Sequence, residues 1–263
     1  MDWKEKLLQW FYKNIYRRSP KWDDCTKASC WSGHGAAIRM MNILSPHFAN
    51  GVFRDRVKWM LKRGCNTAHV FVANEKDGEG GGYSIYGPTW AWHIDERSCQ
   101  LFRERIRYLR RKGLAVVVWT LSDDLPSYGR EVRANPEQYI KDCAKQGMFD
   151  LASTVVCCLE IQDTYGSGDH RGIARLCAAI RKHYKGKVGT HEISNHIAYA
   201  HHADLVFYQV NPGKPVEWIK SEVRRVKNIV GKPVNMFEME RSEDNAKSAA
   251  VLADGIVFGV ANW

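Results

Sequence analysis

In the stretch VEWIKSEVRRVKNIVGKPVNMFEME, residues 216–240, a helical segment runs into Gly231 and a short apolar strand follows, ending in carboxylates at Glu238 and Glu240. A glycine just past a helix supplies the left-handed residue that closes its last turn. Strands ordinarily end in Gly, Asn or Pro turns, so Glu-Met-Glu directly after a strand core asks for a reason. One reason is alternation, with both glutamates facing water on an edge strand. The other is that the strand belongs to a sheet without free edges, and the neighbouring sequence decides between them.

The same unit recurs along the chain. AAIRMMNIL (36–44) reads as a strand, VFRDRVKWMLKRG (52–64) as a helix and NTAHVFVA (66–73) as a strand again. Then come ERSCQLFRERIRYLRRKG with LAVVVWTL, PEQYIKDCAKQG with ASTVVCCLEI, and GIARLCAAIRKHYKGK with VGTHEI. A short helix around 195–202 precedes ADLVFYQV, and DNAKSAAVLAD precedes GIVFGVANW after the opening unit. That is eight strands with seven helices between them, and the helices stop at Gly64, Gly113, Gly147, Gly186 and Gly231. Alternating helices and short β-branched strands predict an α/β fold with a parallel sheet covered by helices. Eight units predict a single (β/α)8 barrel over 36–263. An open doubly wound sheet is the competitor, but no GxGxxG follows the first strand. In a barrel no strand has a solvent edge, so Glu238 must face the mouth or lie buried with a partner.

Ahead of the barrel, residues 2–17 place Trp3, Leu7, Phe11 and Ile15 four apart, which predicts an extra amphipathic helix. It would cap one end of the domain or dock on a membrane surface or partner. Residues 18–35 are polar and turn-rich and read as a linker, giving an N-terminal unit of 1–35. The 263 residues are 44% hydrophobic and 26% charged, a globular profile. No run approaches the roughly 18 apolar residues of a membrane span. Residues 1–22 lack the apolar core and cleavage site of a secretory signal, so the expectation is a chain that is cytoplasmic as encoded, with release on lysis as a route to an outside substrate.

Eight cysteines, Cys25, Cys30, Cys65, Cys99, Cys143, Cys157, Cys158 and Cys177, contain no CxxC pair and read as reduced core residues. Cys25 and Cys30 could close a short disulfide in an oxidising space. A net charge of +10 would suit a polyanion such as nucleic acid or a bacterial wall glycan. However, Arg103, Arg105, Arg107, Arg110, Arg111 and Lys112 cluster within one helix, as on a solvated face. With no RNA-binding aromatic motif, zinc finger or P-loop, no nucleic-acid partner is expected. A metal site from His69, His191 and Asp204 is conceivable, but there is no HExxH, and neither metal nor cofactor is expected.

Barrel chemistry lies at the C-terminal ends of the strands. Those ends carry Asn42; Asn74 and Glu75; Trp119, Ser122, Asp123 and Asp124; Glu160, Gln162 and Asp163; His191 and Glu192; Tyr208, Gln209 and Asn211; Glu238 and Glu240; Asn262 and Trp263. This rim is acidic and aromatic, as a sugar site would be. The loop DGEGGGYSIYGPTWAWH (77–93) sets Tyr83, Tyr86, Trp90 and Trp92 beside a glycine run, suiting a mobile cover over a glycan.

With these residues in place, the sequence resembles the retaining glycoside hydrolases of clan A, the cellulase-like superfamily, over residues 36–263. PVNMFE looks like the clan's strand-seven segment, GCNTAHVFV its strand two, IRMMNIL its strand one and GVANW its strand eight. The resemblance implies a nucleophile at Glu238 and an acid/base at Glu160, with Asp163 as the alternative. It further implies substrate-binding roles for Asn42, His69, Trp90, Trp119, Asp163, His191, Tyr208 and Trp263. Leu159 stands where the clan usually has Asn, and His69 where it commonly has Arg. Retaining hydrolysis needs two carboxyls about 5 to 5.5 Å apart, one attacking the anomeric carbon and one protonating the leaving oxygen. Tyr208 would hold Glu238, His191 would tune Glu160, and Trp119 and Trp263 would floor the sugar. The expected partner is a polysaccharide, and the basic charge favours an anionic or wall-associated one. A non-catalytic carbohydrate-binding barrel and a metal-dependent hydrolase on the same fold are the competing readings.

Overall fold

The computed structural model describes residues 29–31, 50–62, 67–73, 84–86, 92–121, 134–158, 170–193, 197, 199–209, 214–237 and 259–261. Its strands are β1 (Ser29–Trp31), β2 (Thr67–Phe71), β3 (Ala115–Trp119), β4 (Thr154–Val156), β5 (Lys187–Ile193), β6 (Leu205–Gln209), β7 (Val234–Phe237) and β8 (Gly259–Ala261). They form one sheet in the order β7-β6-β5-β4-β3-β2-β1-β8, and every pairing is parallel. The two ends of that order, β7 and β8, also touch, so the sheet rolls round on itself. Between strands lie α1 (Asn50–Lys62), α2 (Glu96–Arg111), α3 (Pro136–Lys145), α4 (His170–His183), a 3-10 turn at Ala200–His202, and α5 (Val216–Val230). The expected alternation is therefore present from β1 to β7, with a 3-10 turn in place of a helix between β5 and β6.

The first strand corrects the sequence reading. β1 falls at Ser29–Trp31, inside the stretch taken for a linker, so the sheet begins upstream of residue 36. Three residues between polar, turn-forming neighbours give no periodic signal, whereas the apolar AAIRMMNIL does. That segment, the N-terminal amphipathic stretch and residues 244–254 lie outside the described residues.

Successive strand residues divide between two faces. Val70, Val116, Val118, Val155 and Val188 pack outward with Phe102, Ile106 and Leu109 of α2, Tyr139 and Ile140 of α3, and Leu176 and Ile180 of α4. Val206, Tyr208 and Val234 pack on Ile219, Val223 and Val226 of α5. His69, Trp119, His191 and Phe207 take the opposite, inner face, where their rings meet. Gly189 makes room for them: a Cβ there would lie 3.0 Å from Phe207 Cε2 and 3.3 Å from Val156 Cγ2.

The glycine stops hold at three helices, with φ of 82° at Gly113, 74° at Gly147 and 61° at Gly231. Gly231 N–H bonds back to Lys227 O at 2.9 Å, closing α5 as a left-handed cap does. Gly231→Ala is expected to cost about 1 kcal/mol, because a Cβ in that conformation meets its own backbone; an unchanged denaturation midpoint would refute this. Gly186 serves differently: a Cβ there would run into the Tyr184 ring. At the other end of a helix, Asn135 Oδ1 accepts from Gln138 N–H and Pro136 opens α3, an N-cap with proline at the first helical position.

The basic face of α2 is only partly solvated. Arg105 and Arg110 are 3% and 8% exposed. The Arg105 guanidinium lies 5.4 Å from the Phe53 ring centre, while Arg110 Nη1 donates to Leu114 O at 3.3 Å and to Ser153 Oγ at 3.2 Å. The same hydroxyl accepts from Val116 N–H at 3.3 Å, so Arg110 ties α2 to the starts of β3 and β4. Arg110→Met should lower stability by about 1–3 kcal/mol through the orphaned acceptors. Arg111→Met, at an exposed position, should change it little; equal melting temperatures for the two variants would refute the clamp.

Candidate active site

The inner face is organised by Trp119, fully buried at the last position of β3. Its Nε1–H donates to His69 Nδ1 at 3.1 Å. An indole nitrogen only donates, so His69 Nδ1 carries the lone pair and the imidazole proton resides on Nε2. Ring centres lie 5.9 Å from Trp119 to His69, 5.8 Å to Phe71, 5.6 Å to His191 and 5.3 Å to Phe207. Trp119 is thus a packed pillar of the interior rather than an open platform for a sugar. His69 and His191 are 2% and 0% exposed, and burial pushes both imidazoles down to about 3. They are neutral at ordinary pH, so the layer is aromatic and uncharged.

Two further inner positions are polar amides. Asn235, on β7, is in register with Phe207 and is 6% exposed. Gln209 ends β6 two residues beyond Phe207, on the same face. Asn235 was absent from the sequence-derived candidates, although a lone amide inside the apolar PVNMF was a legible signal.

Tyr208 behaves otherwise than expected. Alternation turns it outward, and its hydroxyl donates to Glu222 Oε1 on α5 at 2.6 Å. Glu222 is held in turn by Arg225 at 2.6 and 2.7 Å. Tyr208 therefore joins β6 to α5 and does not stand on the inner face with His69, Trp119 and His191. Asp204 is likewise remote from the imidazoles: it precedes β6, pairs with Arg181 at 2.9 Å and accepts from Val188 N–H. The three residues considered for a metal do not converge, and no metal-ligand cluster occurs among the described residues. Within the aromatic loop, Tyr86 is 3% exposed and donates to Asp142 Oδ2 at 2.9 Å. Its ring packs near Trp92 and Tyr139. These members of the supposed cover are fastened to the helix layer, because Ser84-Ile85-Tyr86 fills a gap there. Asn42, Trp90, Glu160, Asp163, Glu238 and Trp263 lie outside the described residues.

No family model matches the sequence, and no curated protein is significantly similar to it. Solved structures do match. A GH113 β-1,4-mannanase superposes with a TM-score of 0.52 at 14% identity, covering 80% of this chain and 82% of its own. The GH113 β-mannanase of Alicyclobacillus acidocaldarius gives 0.52 at 13%, covering 89% and 84%. The family 1 β-glucosidase of Thermotoga maritima gives 0.53 at 12%, covering 93% and 84%. The chain shares the fold of these three structures. Trp119, His191 and Gln209 lie toward the C-terminal end of the sheet, the end at which (β/α)8 enzymes carry their active sites.

Proposed function

We propose that this protein is a retaining glycoside hydrolase, built on a closed (β/α)8 barrel with an additional N-terminal helix, that cleaves a polysaccharide. Glu238 is the nucleophile and Glu160 the acid/base, with Asp163 the alternative acid. The supporting observation is positional. Glu238 is the residue directly after Phe237, the end of β7, and Glu160 follows β4 on the same C-terminal side of an all-parallel sheet. The buried aromatic layer of His69, Trp119, His191 and Phe207 supports the reading by giving that side an apolar floor. Such a floor helps hold one carboxyl protonated while hydrogen bonds keep the other ionised. Asn42, Trp90 and Trp263 complete the sugar site in this reading, with neutral His69 and His191 in the layer beneath it.

The solved neighbours bear the names of β-mannanases and β-glucosidases, which makes β-linked manno- and gluco-oligosaccharides the first substrates to try. The test is chromatographic detection of shortened products from such a panel. Failure to cleave any member, with the protein shown to be folded, would defeat the proposal. Among the described residues no helix is long and apolar enough to cross a membrane.

A further inference from the structure

Tyr208, Asp204 and Arg110 of the outer layer are matched to partners, Glu222, Arg181 and Ser153. Two amides of the inner face are not. Asn235 Nδ2 and Gln209 Oε1 are both sealed from solvent and have no hydrogen-bond partner among the described residues. They belong to neighbouring strands, β7 and β6. Their inward direction follows from Phe207, whose ring meets His69 at 5.6 Å and Trp119 at 5.3 Å. Asn235 is the register partner of Phe207, and Gln209 lies two residues beyond it. A buried amide atom without a partner is costly and uncommon, so two of them on adjacent strands, with Gln209 at the end of β6 and Asn235 level with Phe207 two residues below it, call for an absent partner.

We propose that Asn235 and Gln209 form the hydroxyl-reading pair of a subsite for a neutral sugar ring. The inference rests on the glycoside hydrolase reading above. An amide offers both a donor and an acceptor, as a hydroxyl does, and two amides on adjacent strands bracket two neighbouring ring hydroxyls. The surroundings favour a neutral ring. The register neighbour of Asn235 is Phe207, whose ring meets the uncharged His69 imidazole. The cations held by partners, Arg110, Arg181 and Arg225, are on the helices. A sugar carboxylate would find no counter-charge among these inner residues.

The test uses the full chain carrying Asn235→Leu or Gln209→Leu, with Asn235→Ala should the leucine variant fail to fold. kcat/KM is measured on the oligosaccharide that the wild type cleaves best and on its monodeoxy analogues. Each variant is expected to lose about ten- to a hundredfold on the parent sugar, and to lose nothing further against the analogue lacking the hydroxyl it reads. The melting temperature should stay at or above that of the wild type, since no internal hydrogen bond is removed. Equal losses on the parent and every analogue would overturn the pair. So would a lowered melting temperature with kcat/KM intact, or a wild type that cleaves only uronate-containing glycans. A folded wild type that cleaves no glycan defeats the hydrolase reading itself, and is distinguished from those outcomes by its inactivity on every sugar.

Discussion

Glu238→Gln and Glu160→Gln are each expected to lower kcat on the cleaved glycan by about a thousandfold or more, with folding and glycan binding preserved. The amide keeps the shape of the carboxyl but cannot attack an anomeric carbon, and it cannot deliver a proton to a leaving oxygen. Azide separates the two roles. In Glu238→Ala it fills the space left by the nucleophile and attacks the substrate directly, so the glycosyl azide has inverted configuration. In Glu160→Ala it intercepts the glycosyl-enzyme, and the product retains the original configuration. Full activity in both Gln variants would end the assignment. Activity retained by Glu160→Gln alone would pass the acid/base role to Asp163, tested next as Asp163→Asn. A separation of 6.5 Å or more between the two carboxyls would instead favour an inverting mechanism.

The sequence carried the rhythm of the fold better than its directions. Gly113, Gly147 and Gly231 stop helices as expected, and PVNMFEM marks a strand that the structure places at Val234–Phe237. Both signals are local: a left-handed cap and an apolar run need no tertiary information. β1 was missed because three residues at Ser29–Trp31 form a strand only through pairing with β2 and β8. Tyr208 was chosen for its residue type at a strand end, but the face it takes depends on parity, and Phe207 with Gln209 has the inward parity. Arg105 and Arg110 show the same limit. Helical spacing suggested a solvated face, whereas Phe53 and Ser153 give those two guanidiniums buried partners that no α2 sequence pattern contains.

Stability should peak near pH 6.5 and fall on both sides, and the cause lies in three buried groups of the β2 and β5 strands. His69 and His191 have folded-state values lowered by burial from 6.5 to about 3. The unfolded chain therefore holds up to two more protons between those limits, and stability is lost as pH falls below about 6.5. Glu192 has the opposite sign. It is 1% exposed, and burial raises it from 4.5 to about 8, with the Thr190 side chain and Tyr199 backbone offsetting only part of the effect. Its folded form keeps a proton that the unfolded chain gives up, so its contribution is complete below pH 4.5 and disappears as pH rises to about 8. From 4.5 to 6.5 the two histidines outweigh the one glutamate, and stability climbs. Between 6.5 and 8 the glutamate acts alone, and stability declines by up to about 1.4 kcal/mol per pH unit. The Arg225 hydrogen bond lowers Glu222, which adds to the loss on the acid side. Glu192→Gln preserves the neutral shape and removes the titration. Thermal melts from pH 4 to 9 should show the wild type falling above pH 6.5 and the variant level to pH 8 or beyond, with the variant climbing more steeply than the wild type between pH 4.5 and 6.5. An alkaline decline as steep in Glu192→Gln as in the wild type would mean that another group carries it.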